Sequence, residues 1–149
     1  MQSDDLLTIS DSESVYQGIM LFEIAWEVCN QVGGIYTVIR SKVPSVIQKC
    51  GKENYYLIGP YIENQAVADF DESDDFSGPV GQAVLKMREL GYQVHFGQWV
   101  VSGSPKVVLF DPFAAYGRLG EIKYFIWEHH HITMPEGDNL LNEVASFGF

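Results

Sequence analysis

Two adjacent glycines, Gly33 and Gly34, follow an apolar stretch and precede a stretch with helical spacing. Glycines at such a turn let a ligand come close to the backbone. The N-terminus of the following helix offers unpaired N–H groups and a partial positive charge, which suits a phosphate group. The spacing is neither GxGxxG nor the P-loop pattern GxxxxGK[ST]. Spacing alone therefore leaves open whether these glycines bind a ligand or only form the turn.

Three further groups of residues have chemical potential, and each has a plainer structural interpretation. Glu23 and Glu27 are the nearest approach to a catalytic pair of carboxylates, but no acid–base pair is supported without geometry. The run His129–His131 invites a metal hypothesis, although adjacent side chains diverge and HExxH is absent, so a loop or helix end is favoured. Trp99 and Trp127 could stack on sugar rings, and core packing is the favoured alternative.

Composition and charge exclude several classes of protein. The chain has 149 residues, of which 46% are hydrophobic, and this is too many for a disordered protein. Nine bases against 20 acids give a net charge of −11, a poor basis for binding nucleic acid or an anionic membrane surface. Cys29 and Cys50 form no CxxC pair, which favours reduced thiols and a cytoplasmic location. Residues 1–17 are acidic and Ser-containing, and we expect a mobile leader there.

Apolar periodicity predicts alternating strands and helices. The strands are predicted over 18–26, 55–60, 92–99 and 106–111, with 18–26 as a buried strand. The helices are predicted from 35 to Gly51 with a kink or interruption at Pro44 near Arg40, from Pro79 to 90, over 117–130, and after Asp138 as N-cap. Residues 64–78 are predicted to be an acidic loop. This order predicts an α/β fold with a mostly parallel sheet flanked by helices.

Residue identities add a family resemblance to these patterns. Residues 22–39 read FEIAWEVCNQVGGIYTVI, and this segment resembles the opening of the UDP-glucose-type glycogen synthases of animals, fungi and bacteria, close to FEVAWEVxNKVGGIYTV. Further segments resemble that family in the same order: NYYLIGPY at 54–61, VHFGQW at 94–99, GSPKVVL at 103–109 and FGF at 147–149. Together they cover nearly the whole chain from about Met20 onward.

The resemblance implies a retaining glucosyltransferase with two Rossmann-like domains, the GT-B architecture. Such an enzyme transfers glucose from UDP-glucose to the non-reducing end of an α-1,4-glucan, and it uses no bound metal or other cofactor. In that scheme Gln31, Gly33 and Gly34 bind the donor, and no catalytic residue lies in this chain. Gln31 departs from the lysine that is common in the family, which keeps hydrogen-bond donors but loses the charge.

The same resemblance bears on domain organisation. Residues 18–149 are expected to be the first part of the N-terminal domain, with the remaining functional residues beyond Phe149, so the 149-residue chain alone is expected to be inactive. We expect Leu140, Leu141, Val144 and Phe147 to form an exposed apolar patch that drives homo-oligomerisation or aggregation.

Two other hypotheses stay open on the sequence alone. The first is a non-catalytic Rossmann-like half-domain that binds a partner chain or a glucan without turnover. The second is a different nucleotide-binding α/β protein, which predicts that this chain by itself binds a dinucleotide tightly.

Overall fold

A computed structural model describes residues 18–149, so the predicted leader over 1–17 lies outside the described residues. The described chain forms one five-stranded sheet with helices on both faces. The strands are β1 (Leu21–Ile24), β2 (Tyr55–Pro60), β3 (Phe70–Glu72), β4 (Val94–Trp99) and β5 (Lys106–Phe110). The α-helices are α1 (Gly34–Cys50), α2 (Glu63–Asp69), α3 (Pro79–Glu89), α4 (Leu119–His130) and α5 (Asn139–Gly148).

The sheet has the strand order β1-β2-β5-β4-β3. β1 pairs with β2 and β2 with β5 in parallel, whereas β4 is antiparallel to both β5 and β3. All strands except β4 therefore point in the same direction. The predicted α/β, Rossmann-like class with a mostly parallel sheet is confirmed.

Side-chain alternation along β2 divides the core into two layers. Tyr55 and Leu57 face α1 and join a cluster that includes Ile39, Val43 and Trp99. The intervening residue of β2, Tyr56, faces the opposite side and packs in the cluster that contains Val84 of α3. Because both faces of β2 are covered, its sequence is apolar without interruption, as is typical of a central parallel strand.

Helix α1 runs without interruption through Pro44, so the predicted interruption near Arg40 is wrong. Proline removes one backbone hydrogen bond to the preceding turn. Ile39 and Val43 are both buried against the sheet, and their packing stabilises the helix before the proline. The helix ends before Gly51, as predicted, and the backbone of Gly51 has a φ of 83°.

Strand β1 is shorter than predicted and is not buried. It spans Leu21–Ile24, and Ile24 is 65% exposed. The reason is its position, because β1 lies at the edge of the sheet and pairs only with β2 among the described strands. Apolar composition alone does not distinguish a central strand from an edge strand.

The predicted loop over 64–78 is wrong in its first half. Helix α2 occupies Glu63–Asp69, and β3 follows directly and pairs with β4. Phe70 packs against the α1-side core, so burial of its ring compensates for the acidic neighbours that suggested a solvated loop.

The last two helices form a pair beyond β5. The carboxylate of Asp138 accepts the backbone N–H of Leu141 at 3.1 Å and thereby caps α5, as predicted. Phe147 lies edge-on against Trp26 with ring centroids 5.3 Å apart. Leu140 and Val144 are exposed, which confirms part of the predicted apolar patch. Within the described residues, no helix combines the length and apolarity that crossing a membrane requires.

Candidate functional site

The paired glycines lie where an open α/β sheet commonly binds ligands. β1 ends at Ile24, a turn-rich segment follows, and Gly33 is the N-cap of α1. The segment therefore extends from the carboxyl end of a parallel strand to the start of a helix, which is the region where such sheets bind ligands. We call residues 25–34 the β1–α1 turn. It contains all three predicted donor-binding residues: Gln31, the N-cap Gly33, and Gly34, which is also the first residue of α1.

The start of α1 is capped by a carboxylate from earlier in the same turn. Glu27 Oε2 accepts the backbone N–H of Gly33 at 2.8 Å and that of Tyr36 at 2.9 Å. Gly33 has no side chain that could cap the helix itself. Glu27 thus satisfies N–H groups that would otherwise be left without a partner at a helix N-terminus.

The carboxylate of Glu27 is buried yet held in its charged form. The residue is only 8% exposed. The N–H of Tyr36 lowers the pKa of Glu27 most strongly, and N–H groups of Gly33 and Val32 add to this against the opposing effect of burial. The sequence indicates Glu27 only as half of a possible carboxylate pair. No local motif marks this cap, because the contact depends on how the backbone folds back between Glu27 and Gly33.

The two glycines of the turn have different surroundings. A Cβ atom built on Gly33 would lie 3.4 Å from Glu27 Oε1, which is an ordinary contact distance, so this side of Gly33 borders the carboxylate. A Cβ atom built on Gly34 would have no atom within 4 Å. Gly33 therefore faces the protein and Gly34 faces open space. Gln31, two residues earlier, is exposed and carries amide donors.

Buried contacts hold the turn on the sheet. Tyr36 donates its hydroxyl to Asp69 Oδ2 at 2.6 Å and lies edge-on to Trp99, with ring centroids 5.3 Å apart. Burial and the contact with Asp69 raise the pKa of the Tyr36 hydroxyl, so it stays protonated as the donor. Val28 is fully buried directly over Gly59 of β2. The turn is therefore held on the sheet at two places, by the contacts of Tyr36 and by the packing of Val28 on β2.

Glu23 and Glu27 do not form a catalytic pair. Glu23 accepts the hydroxyl of Tyr55 at 2.6 Å and forms a salt bridge with Lys42, whereas Glu27 caps α1. Burial, followed by the contact with Glu23, raises the pKa of Tyr55. The two carboxylates have different partners and different structural tasks.

The other sequence candidates lie away from the turn or inside the core. Trp99 is fully buried, so its predicted core packing is confirmed, whereas Trp127 is half exposed on α4 and the same prediction is wrong for it. His129 stacks on Phe125 and lies at the end of α4, and His131 follows with a left-handed φ of 55°. Over residues 18–149 the structure contains no group of three or more His, Cys, Asp or Glu side chains arranged to hold a metal ion.

The described residues also form a cavity and a groove. The cavity, of 140 Å³, is lined by Glu53, Tyr56, Asp75 and Lys106, near the amino ends of β2 and β5. Lys106 forms a salt bridge with Glu53 there, so its charge is already matched. The other, an apolar groove of 380 Å³, lies between the residues after β1 and helix α5. Neither contains the paired glycines.

Comparison with known proteins identifies relatives over most of the chain. A family model described as glycogen synthase matches residues 23–149. The chain is 42% identical over 130 residues to the liver glycogen [starch] synthase of Homo sapiens, covering 87% of this chain and 18% of that protein. It is 36% identical to the glycogen [starch] synthase of Neurospora crassa, again covering 87% of this chain and 18% of the relative. For the Dictyostelium discoideum glycogen [starch] synthase the identity is 38%, over 87% of this chain and 14% of the relative.

The chain thus spans less than a fifth of the length of these curated relatives. The matched segment contains β2, β4, β5 and the β1–α1 turn with Gly33 and Gly34. Since the family model covers residues 23–149 of the 149, the chain belongs to the glycogen synthase family.

Proposed function

We propose that the full-length gene product is a retaining glucosyltransferase that elongates an α-1,4-glucan with glucose from UDP-glucose. The observation that supports this proposal is the match of residues 23–149 to the glycogen synthase family, together with relatives named glycogen [starch] synthase. The non-catalytic half-domain hypothesis lacks a comparable observation.

The β1–α1 turn is the proposed contact with the donor. Gly34 leaves open space beside the N-terminus of α1, where the backbone can come close to a diphosphate. Gln31 supplies exposed amide donors in the same turn. We assign donor binding to Gln31, Gly33 and Gly34 on this basis, with Gly33 acting through its backbone, whose N–H is donated to Glu27.

The β1–α1 turn is not sufficient to catalyse glucose transfer by itself. Transfer of glucose passes through an oxocarbenium-like centre and leaves negative charge on the departing diphosphate, which must be stabilised by donors and cations. With a net charge of −11, this chain is a poor source of cations. The cationic and catalytic groups are therefore proposed to lie outside residues 18–149, and these residues without them are proposed to be inactive.

This assignment carries proposals on architecture and setting. Residues 18–149 would be the first part of the N-terminal Rossmann-like domain of a two-domain GT-B enzyme. The cytoplasm is the proposed location, a setting in which the free and buried Cys29 and Cys50 stay reduced. Residues 18–149 in isolation are proposed to form a homo-oligomer or to aggregate, because Leu140 and Val144 expose apolar surface.

Radiolabelled glucose transfer tests the proposed function. The full-length gene product is titrated with labelled UDP-glucose in the presence of glycogen, and label in the precipitated glucan is counted. We expect saturable incorporation that is released by an α-1,4-specific glucosidase. Parallel reactions with other nucleotide sugars establish the nucleotide preference. No incorporation from any nucleotide sugar would overturn the enzymatic assignment.

A further inference from the structure

We infer that Glu27 is a positioning residue that holds the β1–α1 turn in the shape that receives the donor diphosphate. This inference rests on the proposed function of the turn. Glu27 would not touch the donor. It would act through the backbone of Gly33 and Tyr36, whose N–H groups both point to its Oε2 atom.

The first support is the pair of hydrogen bonds itself. One oxygen atom of Glu27 joins the N-cap residue of α1 to a residue in the first turn of that helix, at 2.8 and 2.9 Å. Two bonds from one atom fix both the start of the helix and the direction in which the glycine turn enters it. A glycine pair without such a tie would have wide conformational freedom.

The second support is the location of the carboxylate. At 8% exposure it lies beneath the turn, on the side of Gly33, whereas the open space is on the side of Gly34. The fold therefore places the negative charge on the protein side and the free approach on the other side. This geometry suits a support for the turn and does not suit a group that contacts an anionic ligand.

A positioning role and a purely electrostatic role for Glu27 predict opposite effects of its removal on UDP binding. If Glu27 acted only as a negative charge near the diphosphate, its removal would strengthen UDP binding in every variant. If it positions the turn, Glu27→Ala weakens UDP binding, whereas Glu27→Gln keeps an acceptor oxygen for both N–H groups and preserves it.

The experiment uses the full-length gene product with isothermal titration of UDP as the probe. We expect Glu27→Ala to bind UDP roughly tenfold or more weakly, because misplacement by about 1 Å can cost as much as a hundredfold in function. Glu27→Gln should bind UDP at least as tightly as the wild type. In transfer assays, Glu27→Ala should raise the KM for UDP-glucose and leave the KM for glycogen unchanged.

Asp138→Ala is the matched control, because Asp138 is also a carboxylate that caps a helix N-terminus, at α5. It should leave UDP affinity unchanged. Wild-type affinity in Glu27→Ala, or equal weakening in Glu27→Ala and Glu27→Gln, would overturn the inference. If Glu27→Ala does not fold, tenfold weaker binding by Glu27→Gln is itself the contradicting result. Two results separate this inference from the proposed function. If the wild type binds UDP and transfers glucose, and Glu27→Ala does so equally well, only the positioning role is refuted. If the wild type neither binds UDP nor transfers glucose, the proposed function is refuted as well.

Discussion

Gly59 in β2 is the position where one methyl group should disturb the candidate turn most directly. A Cβ atom at Gly59 would lie 2.7 Å from Val28 Cβ and 2.8 Å from the carbonyl oxygen of Val28. Carbon atoms in contact are normally about 3.5–4.0 Å apart, so Gly59→Ala must push Val28 away by roughly 1 Å. Val28 is fully buried and follows Glu27 in the turn, so the displacement reaches the cap of α1.

The expected loss of stability follows from this overlap. Overpacking of a well-packed core costs about 1–3 kcal/mol. Replacing glycine by alanine returns about 0.4–1 kcal/mol by restricting the unfolded chain. Because one of the overlapping atoms is a backbone oxygen, we expect an overpacking cost in the upper part of its range, about 2–3 kcal/mol, and a net loss of about 1–2.6 kcal/mol. This lowers Tm by roughly 2–10 °C for a protein domain of this size.

Thermal denaturation followed by circular dichroism measures this effect. Gly120→Ala is the matched control, since a Cβ atom at this position in α4 would have no atom within 4 Å. It should keep or raise Tm, because alanine stabilises helices by about 0.5–1 kcal/mol relative to glycine. A Tm for Gly59→Ala at or above that of the wild type would refute the packing of Val28 on β2.

Four further predictions concern the site and its support. N–H donation lowers the pKa of Glu27 in the folded state. The contribution of Glu27 to stability is therefore present above its unfolded pKa of about 4.3 and is lost as pH falls through the lower folded pKa. Glu27→Gln should accordingly flatten the acid side of a plot of Tm against pH. Tyr55→Phe removes the hydroxyl that is donated to Glu23 and should cost about 1 kcal/mol in urea denaturation, whereas no loss would contradict the bond. Gln31→Lys restores a cation in the turn and should lower the KM for UDP-glucose several-fold in transfer assays, and an unchanged KM would remove Gln31 from the donor site. Gly97→Ala would place a Cβ atom 2.1 Å from the carbonyl oxygen of Asp71 and should cost about 3 kcal/mol or more by separating β3 from β4, so a stable variant would contradict that pairing.

Local patterns predict those elements whose own residues show which positions are buried. The continuous apolar run of β2 and the spacing of α1 each predict one element, and the predicted cap at Asp138 is confirmed. Patterns were insufficient where a distant contact decides the structure. Phe70 belongs to a strand because β4 is available beside it, and Pro44 stays inside a helix because its neighbours are buried.

The candidate site shows the same division. The turn around Gly33 and Gly34 follows from local composition and from family resemblance. The role of Glu27 does not, because it depends on how the backbone folds back over six residues to bring two N–H groups onto one oxygen atom. A sequence pattern does not predict which side of a turn each side chain faces.

The donor-binding role of the β1–α1 turn is tested most directly by filling the open space at Gly34. Gly34→Val adds a side chain where a Cβ atom meets no protein atom within 4 Å, so the fold and Tm should change little. Isothermal titration of UDP into the full-length gene product measures the consequence. We predict that this variant binds UDP at least about tenfold more weakly than the wild type, because the backbone can no longer come close to the diphosphate. Wild-type UDP affinity in a folded Gly34→Val variant would contradict the assignment of this turn to the donor.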